Sequence, residues 1–311
     1  MAFSITHKEE NGFSIIALQD DAGAEVQIIP GYGALLHAFI IPQGGTNINV
    51  IDSYSSSDDL NAGVTNSFKS VKLSPFACRI KDATYSWSGT DYTIRKSPIH
   101  GLLYDQPFSL IKEEAADSFA EISLEHHYAG DDPGYPFPYR CEVQYRLLAD
   151  QHLQITTAVF NLHNARIPMM DGWHPYFSTG TPVDRLELQF SSAAIVEFDE
   201  KLIPTGKTLP FTEFNGGKSM NGVALDNSFL VDFEAAQPVC TLTDPGKRIR
   251  IAFFPERSYP VLQVYTPPHR NSIAIENLTG APNAFNNGIG LVTVEPGHSA
   301  IFRTGLQVTG F

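Results

Sequence analysis

Residues 141–162 read CEVQYRLLADQHLQITTAVFNL, two alternating runs on either side of Ala149-Asp150-Gln151. Val143, Tyr145 and Leu147 share one face before the break, and Leu153, Ile155, Thr157 and Val159 share one after it. Side chains of an extended chain point alternately to opposite faces, so this spacing predicts a β-hairpin with one face buried. Residues 119–127 repeat the pattern, with Ala120, Ile122, Leu124 and His126 opposed to Glu121, Ser123, Glu125 and His127, which predicts a half-buried strand. Residues 239–242 and 249–253 flank Asp244-Pro245-Gly246, where Pro presets φ and Gly accepts a positive φ, predicting a second hairpin.

Helical spacing is not sustained anywhere: each window of about a dozen residues with apolar groups at i, i+3, i+4 and i+7 is interrupted by Gly or Pro. The best helix candidate is the short segment 57–61, where serines precede Asp58 and Asp59. Stretches 54–67, 129–138, 215–221 and 280–290 read as loops, none long or biased enough to be an interdomain linker. The expected fold is all-β: one large antiparallel β-sandwich spanning residues 1–311, with few short helices.

At 311 residues the chain buries roughly 75% of the surface its unfolded form exposes. Only 18% of residues are charged while Gly (24), Pro (21), Phe (21) and Tyr (12) are plentiful, which suits strands joined by turns around an aromatic lining. A net charge of -13 with no basic run argues against nucleic acid or a membrane surface as partner, since both require clustered Lys and Arg. Residues 1–20 place Lys8, Glu9 and Glu10 among short apolar stretches, so neither a signal peptide nor a membrane span is expected. Cys78, Cys141 and Cys240 are odd in number and far apart, which predicts free thiols and a cytoplasmic location.

Three segments concentrate groups able to do chemistry. In Asp171-Gly172-Trp173-His174-Pro175-Tyr176-Phe177 an imidazole sits between large rings and before a rigid proline, a setting that fits either a core histidine or one with a tuned pKa. Ser97-Pro98-Ile99-His100-Gly101 carries a second histidine in a Pro/Gly-bounded loop, which fits a structural or a binding role. Ile273-Ala274-Ile275-Glu276-Asn277 ends an apolar run on a carboxylate that needs a partner, a function or solvent. Asp226 and Glu276 are the natural carboxylates if the chain hydrolyses glycosides. No metal site is expected, because His126 and His127 are neighbours on a strand and point to opposite faces. Neither Gly-x-Gly-x-x-Gly, Gly-x-x-x-x-Gly-Lys-Ser/Thr nor Gly-x-Ser-x-Gly occurs.

Taken in order, these segments resemble the aldose 1-epimerase family, the galactose mutarotases. Ala77-Cys78-Arg79-Ile80 is similar to the family's Arg-Ile element, His100-Gly101 to its His-Gly loop, and Trp173-His174-Pro175-Tyr176-Phe177 to its His-Pro-Tyr-Phe segment. Leu225-Asp226-Asn227-Ser228-Phe229 resembles the Asp segment. Glu276, with Thr279, Pro282, Asn283, Ala284, Phe285 and Asn286 behind it, resembles the catalytic-Glu signature, and Glu295-Pro296-Gly297 the closing turn. The resemblance implies the galactose mutarotase-like β-sandwich and interconversion of the α and β anomers of a free aldose without metal or cofactor. It implies Glu276 as general base and His174 as general acid, with Arg79, His100 and Asp226 binding the sugar. Trp173 and Tyr176 are implied either to pack on the sugar's C–H faces or to serve the core.

Cys78 and Leu102 stand where the family often has Asn and Gly, which removes an amide and adds bulk beside the expected pocket; Asn277 and Asn283 stand for a common Pro and Asp. Leu102-Leu103-Tyr104 after Gly101 departs from the hexose-6-phosphate branch, so a neutral sugar is the expected small-molecule partner, bound by a monomer or weak homodimer. The competing reading is a non-catalytic carbohydrate-binding protein of the same fold.

Overall fold

A computed structural model describes residues 2–311. The hairpin at residues 141–162 forms as the sequence predicts: Tyr139–Leu148 pairs with His152–Asn161, Leu148 faces His152, and Asp150 and Gln151 turn the chain through positive φ. It lies within a nine-stranded antiparallel sheet that runs in space from Ser109–Ala116 through this hairpin to the last strand, Ser299–Gly310, and on to Ile249–Phe253, Cys240–Asp244 and beyond. Cys240–Asp244 and Ile249–Phe253 make the second predicted hairpin, but its positive-φ residue is Arg248 rather than Gly246.

A second nine-stranded sheet holds the strands Ser192–Phe198, Asp226–Val231, Val261–Tyr265 and Ile273–Leu278, extended by two-residue strands at Lys72–Leu73, Gly172–Trp173 and Tyr176–Phe177. The two sheets face each other. Phe177 meets Phe253 edge to face at 4.9 Å, Phe190 packs on Phe229 at 4.6 Å, and Asn277 Nδ2 donates to Thr304 Oγ1 across the gap. A five-stranded N-terminal sheet, from Phe3–Glu10 to Thr46–Asn49, is tied to the first by the Tyr145 hydroxyl, which donates to the Ala34 carbonyl. One continuous hydrophobic core joins all three. The all-β sandwich expected from the alternation is therefore the observed architecture.

Two local expectations are corrected. The strand Phe119–Tyr128 is buried on both faces over residues 120–124, because Lys112 and Arg146 lie over Glu121 with nitrogens at 3.0 and 3.4 Å from its carboxylate. The helix expected at 57–61 runs over Ser57–Ser67, through a stretch that reads as loop. Ser56 Oγ caps the Asp59 amide, Leu60 and Val64 bury one face at i and i+4, and Phe68 closes the helix in the left-handed region. Gly63 and the polar majority of this segment hide that two-residue apolar stripe from a periodicity test. Among the described residues no helix is long and apolar enough to cross a membrane.

Candidate active site

Strand register builds the floor of one pocket. Glu276 lies opposite Gln263, and Gln263 opposite Ser228, while one step along Asp226, Tyr265, Ala274 and Tyr176 form the next row. Directly opposed residues on antiparallel strands share a face, so these two rows point together to one side of the sheet. The alternate residues Phe177 and Asn277 point the other way, into the sandwich.

Three further segments close the walls. Cys78-Arg79 and Ile99-His100 pair as a short antiparallel bridge, with the His100 amide donating to the Cys78 carbonyl at 2.7 Å. The next residue must be glycine: Gly101 has φ of +80°, and a Cβ there would fall 2.4 Å from the Ser74 carbonyl oxygen. Asn283 holds the Arg79 segment from behind, its main-chain amide donating to the Arg79 carbonyl at 2.7 Å and its side-chain Oδ1 accepting from the Lys81 amide at 3.0 Å. His174 is held through its main chain, which accepts from the Ser70 amide and donates to the Val71 carbonyl. The C-terminal end of the Ser57–Ser67 helix and Phe68 form the third wall.

The resulting cavity of about 320 Å³ is lined by all five residues singled out from the sequence: Arg79, His100, His174, Asp226 and Glu276. This lies within the roughly 300–1,000 Å³ of small-molecule sites. His174 Nε2 stands 3.4 Å from Glu276 Oε1, with the two side chains 7% and 2% exposed. His174 Nδ1, His100 Nδ1 and Glu276 Oε2 are buried without a protein partner. Buried polar atoms in folded proteins are nearly always paired, and all three orphans belong to residues that line this cavity, as befits a site for a polar ligand. Tyr176 stacks on His174 at 5.1 Å, and His100 meets it edge-on at 4.7 Å.

Burial disfavours charge throughout the pocket. It pushes the Glu276 carboxyl well above the ordinary range, with the nearby Asp226 charge adding to the rise. It lowers the His174 imidazole to about 4, and lowers His100 strongly, aided by the charges of His174 and Arg79. Asp226 is raised by burial against the opposing pull of Arg79 and Gln263. Above about 4, where His174 is neutral, and below the raised value of Glu276, the pair therefore holds a single proton.

Gln263 escapes the sequence reading although it lines the pocket and donates to Asp226 Oδ1 at 2.9 Å. Its signal was a lone amide in the apolar strand Val261–Tyr265. Phe198 and Leu202, also in the lining, carried none. Leu102 is buried in the core rather than at the pocket wall, where Ile99 stands instead. Of the two aromatics, Tyr176 lines the pocket, whereas Trp173 is buried outside it with its indole donating to the Ser70 carbonyl. A wider groove of about 730 Å³ on the first nine-stranded sheet, bordered by Thr241, Arg250 and Gln307, contains no imidazole.

A galactose mutarotase-like sandwich with a buried imidazole and carboxyl facing one cavity is the class that fold and site define. The family model for aldose 1-epimerase matches residues 14–307, and the chain belongs to that family. An uncharacterized protein of Escherichia coli K12, YihR, is 27% identical over 72% of this chain and 74% of its own length. Among solved structures, a galactose mutarotase-like protein from Clostridium acetobutylicum superposes with a TM-score of 0.87 at 17% identity, covering 100% of this chain and 99% of that one. A galactose 1-epimerase from Lactobacillus acidophilus gives 0.82 at 18% identity, covering 99% and 98%.

Proposed function

We propose that the protein is an isomerase that interconverts the α and β anomers of a neutral free aldose. The observation that carries this reading is the 3.4 Å approach of His174 Nε2 to Glu276 Oε1 in a cavity where the far atom of each side chain lacks a partner. The two oxygens that must exchange protons in mutarotation are bonded to the same sugar carbon, so an acid and a base this close reach both at once.

Glu276 takes the proton of the C1 hydroxyl while His174 delivers one to the ring oxygen. The C1–ring-oxygen bond breaks and the open aldehyde forms. Rotation about C1–C2 turns the other carbonyl face toward the former ring oxygen. In closure that hydroxyl attacks C1, its proton returns to His174, and Glu276 protonates the carbonyl oxygen. No proton is gained or lost overall. In the empty pocket burial favours the uncharged pair, and the carboxylate–imidazolium form needed for ring opening has the same proton count. Sugar hydroxyls donating to Glu276 stabilise that form. Arg79, His100 and Asp226 hold the remaining hydroxyls. Asp226 balances Arg79 and the His174–Glu276 pair is neutral overall, so the lining has no surplus cation for a phosphate and suits a neutral sugar better than a sugar phosphate.

Polarimetry of freshly dissolved α-D-glucose and α-D-galactose tests the proposal, with Glu276→Gln and His174→Asn as controls. Acceleration that disappears in both variants is the expected result, since positioned acid–base groups contribute about 10²–10⁴-fold. Sugar binding without acceleration on any common aldose would instead identify a carbohydrate-binding protein.

A further inference from the structure

Behind the pocket, three polar side chains meet in the apolar interior. Lys72 Nζ donates to Asp171 Oδ2 at 2.6 Å, and the Tyr259 hydroxyl donates to the same oxygen at 2.6 Å. Lys72 also donates to the Gly172 carbonyl at 3.0 Å. Asp171 is fully buried and Lys72 and Tyr259 nearly so, yet Asp171 Oδ1 has no partner. Desolvating such a pair costs what their attraction returns, and well-packed apolar replacements commonly fold as well or better. Stability alone is therefore a poor reason for this cluster.

Its neighbours suggest another. Lys72 directly follows Ser70 and Val71, the residues that clamp the His174 main chain. Asp171 lies three residues before His174, and its main-chain amide and carbonyl bond Thr279 on the continuation of the Glu276 strand. Tyr259 leads into the strand that carries Gln263 beside Glu276. The strands Lys72–Leu73 and Gly172–Trp173 are only two residues long, so their ladders supply few bonds to fix register. The charged cluster joins the segments where the ladders do not.

We propose that Lys72, Asp171 and Tyr259 are positioning residues that set the approach of His174 to Glu276, a role that rests on the acid–base reading of that pair. They touch no sugar. They act by pinning the three segments whose continuations carry the reacting side chains and the clamp on His174.

The test compares Lys72→Met/Asp171→Asn, which removes both charges at nearly constant shape, with Tyr259→Phe, which removes one hydroxyl. For each, kcat and KM are measured by polarimetry, the unfolding midpoint by circular dichroism, and the His174 ring nitrogens by NMR. The expected result is kcat reduced roughly tenfold or more in the double variant and less in Tyr259→Phe, because small misplacements of reacting groups are costly. KM stays within about twofold, since binding groups are untouched, and the His174 resonances move while the midpoint holds. Unchanged kcat with unmoved resonances overturns the proposal. So does a loss of kcat that merely tracks the loss of folded protein. Should the wild type fail to accelerate mutarotation, the functional reading falls, while the His174 resonances still decide whether the cluster positions that ring.

Discussion

His174 and Glu276 face each other at 3.4 Å, Nε2 to Oε1, just beyond ordinary hydrogen-bond length. They come from separate elements: Glu276 from a central strand, His174 from the link between two-residue strands. Burial moves their proton affinities in opposite directions, upward for the carboxyl and downward for the imidazole. The pair consequently behaves as one unit that binds one proton between the lowered value of His174 and the raised value of Glu276.

A pH–rate profile should display that unit. Below about 4, His174 binds a second proton, leaving no base, so kcat/KM falls as pH drops through this value. At the alkaline end Glu276, raised above its ordinary range, gives up the single proton and leaves no acid, so the rate falls again. A plateau between the two limbs is the expected form. An acid limb at the ordinary imidazole value of about 6.5 would contradict the burial argument.

Asp226→Asn should move the alkaline limb alone. The Asp226 charge is the second cause, after burial, that raises Glu276, so a neutral amide lets Glu276 ionise at lower pH and shifts that limb downward. The acid limb, set by burial of His174, should stay in place. An alkaline limb unmoved in this variant would mean that the two carboxyl groups do not sense each other. Because Asp226 also holds the sugar in the proposed mechanism, KM should rise in the same measurement.

The sandwich was legible because alternation is a local signal: residues 141–162 give a hairpin from spacing alone, and the observed pairing of Leu148 with His152 follows from it. The five pocket residues were legible only through their ordered resemblance to a family, since Arg79 and Glu276 stand 197 positions apart in the chain and no local pattern makes them neighbours. Gln263 was hidden because one amide in an apolar strand looks like noise until register sets it opposite Glu276. The cluster of Lys72, Asp171 and Tyr259 was hidden because Lys72 and Tyr259 stand 99 and 88 positions from Asp171, so no local pattern joins them. The helix expected at 57–61 runs on to Ser67 beyond what the sequence marks, because its apolar stripe is only Leu60 and Val64.

Gly101→Ala should injure both fold and site. A left-handed backbone costs an ordinary residue about 1–2 kcal/mol, and the added methyl would overlap main-chain atoms of Ser74 that cannot swing away as a side chain would. Since Ser74 also accepts the Leu102 amide, any relaxation shifts the loop that presents His100. Urea unfolding should show a loss of at least this size, accompanied by a raised KM. A variant with wild-type stability would mean that the loop tolerates a different path.

The three cysteines offer a test of packing that is independent of catalysis. All are free and buried, and burial raises each thiol: Cys141 to about 12, Cys78 well above its ordinary value, and Cys240 likewise upward. The reactive species toward disulfide reagents is the thiolate, so at pH 8 the folded protein presents almost none. Native protein should react with an aromatic disulfide reagent only at the rate of unfolding, whereas denatured protein should titrate three thiols promptly. Cys78 is the discriminating residue, because it alone lines the cavity. If one thiol reacts rapidly in the native state and a bound sugar slows it, the pocket is wetter than its geometry implies. The carboxyl and imidazole shifts would then be smaller, and the plateau of the pH–rate profile correspondingly narrower.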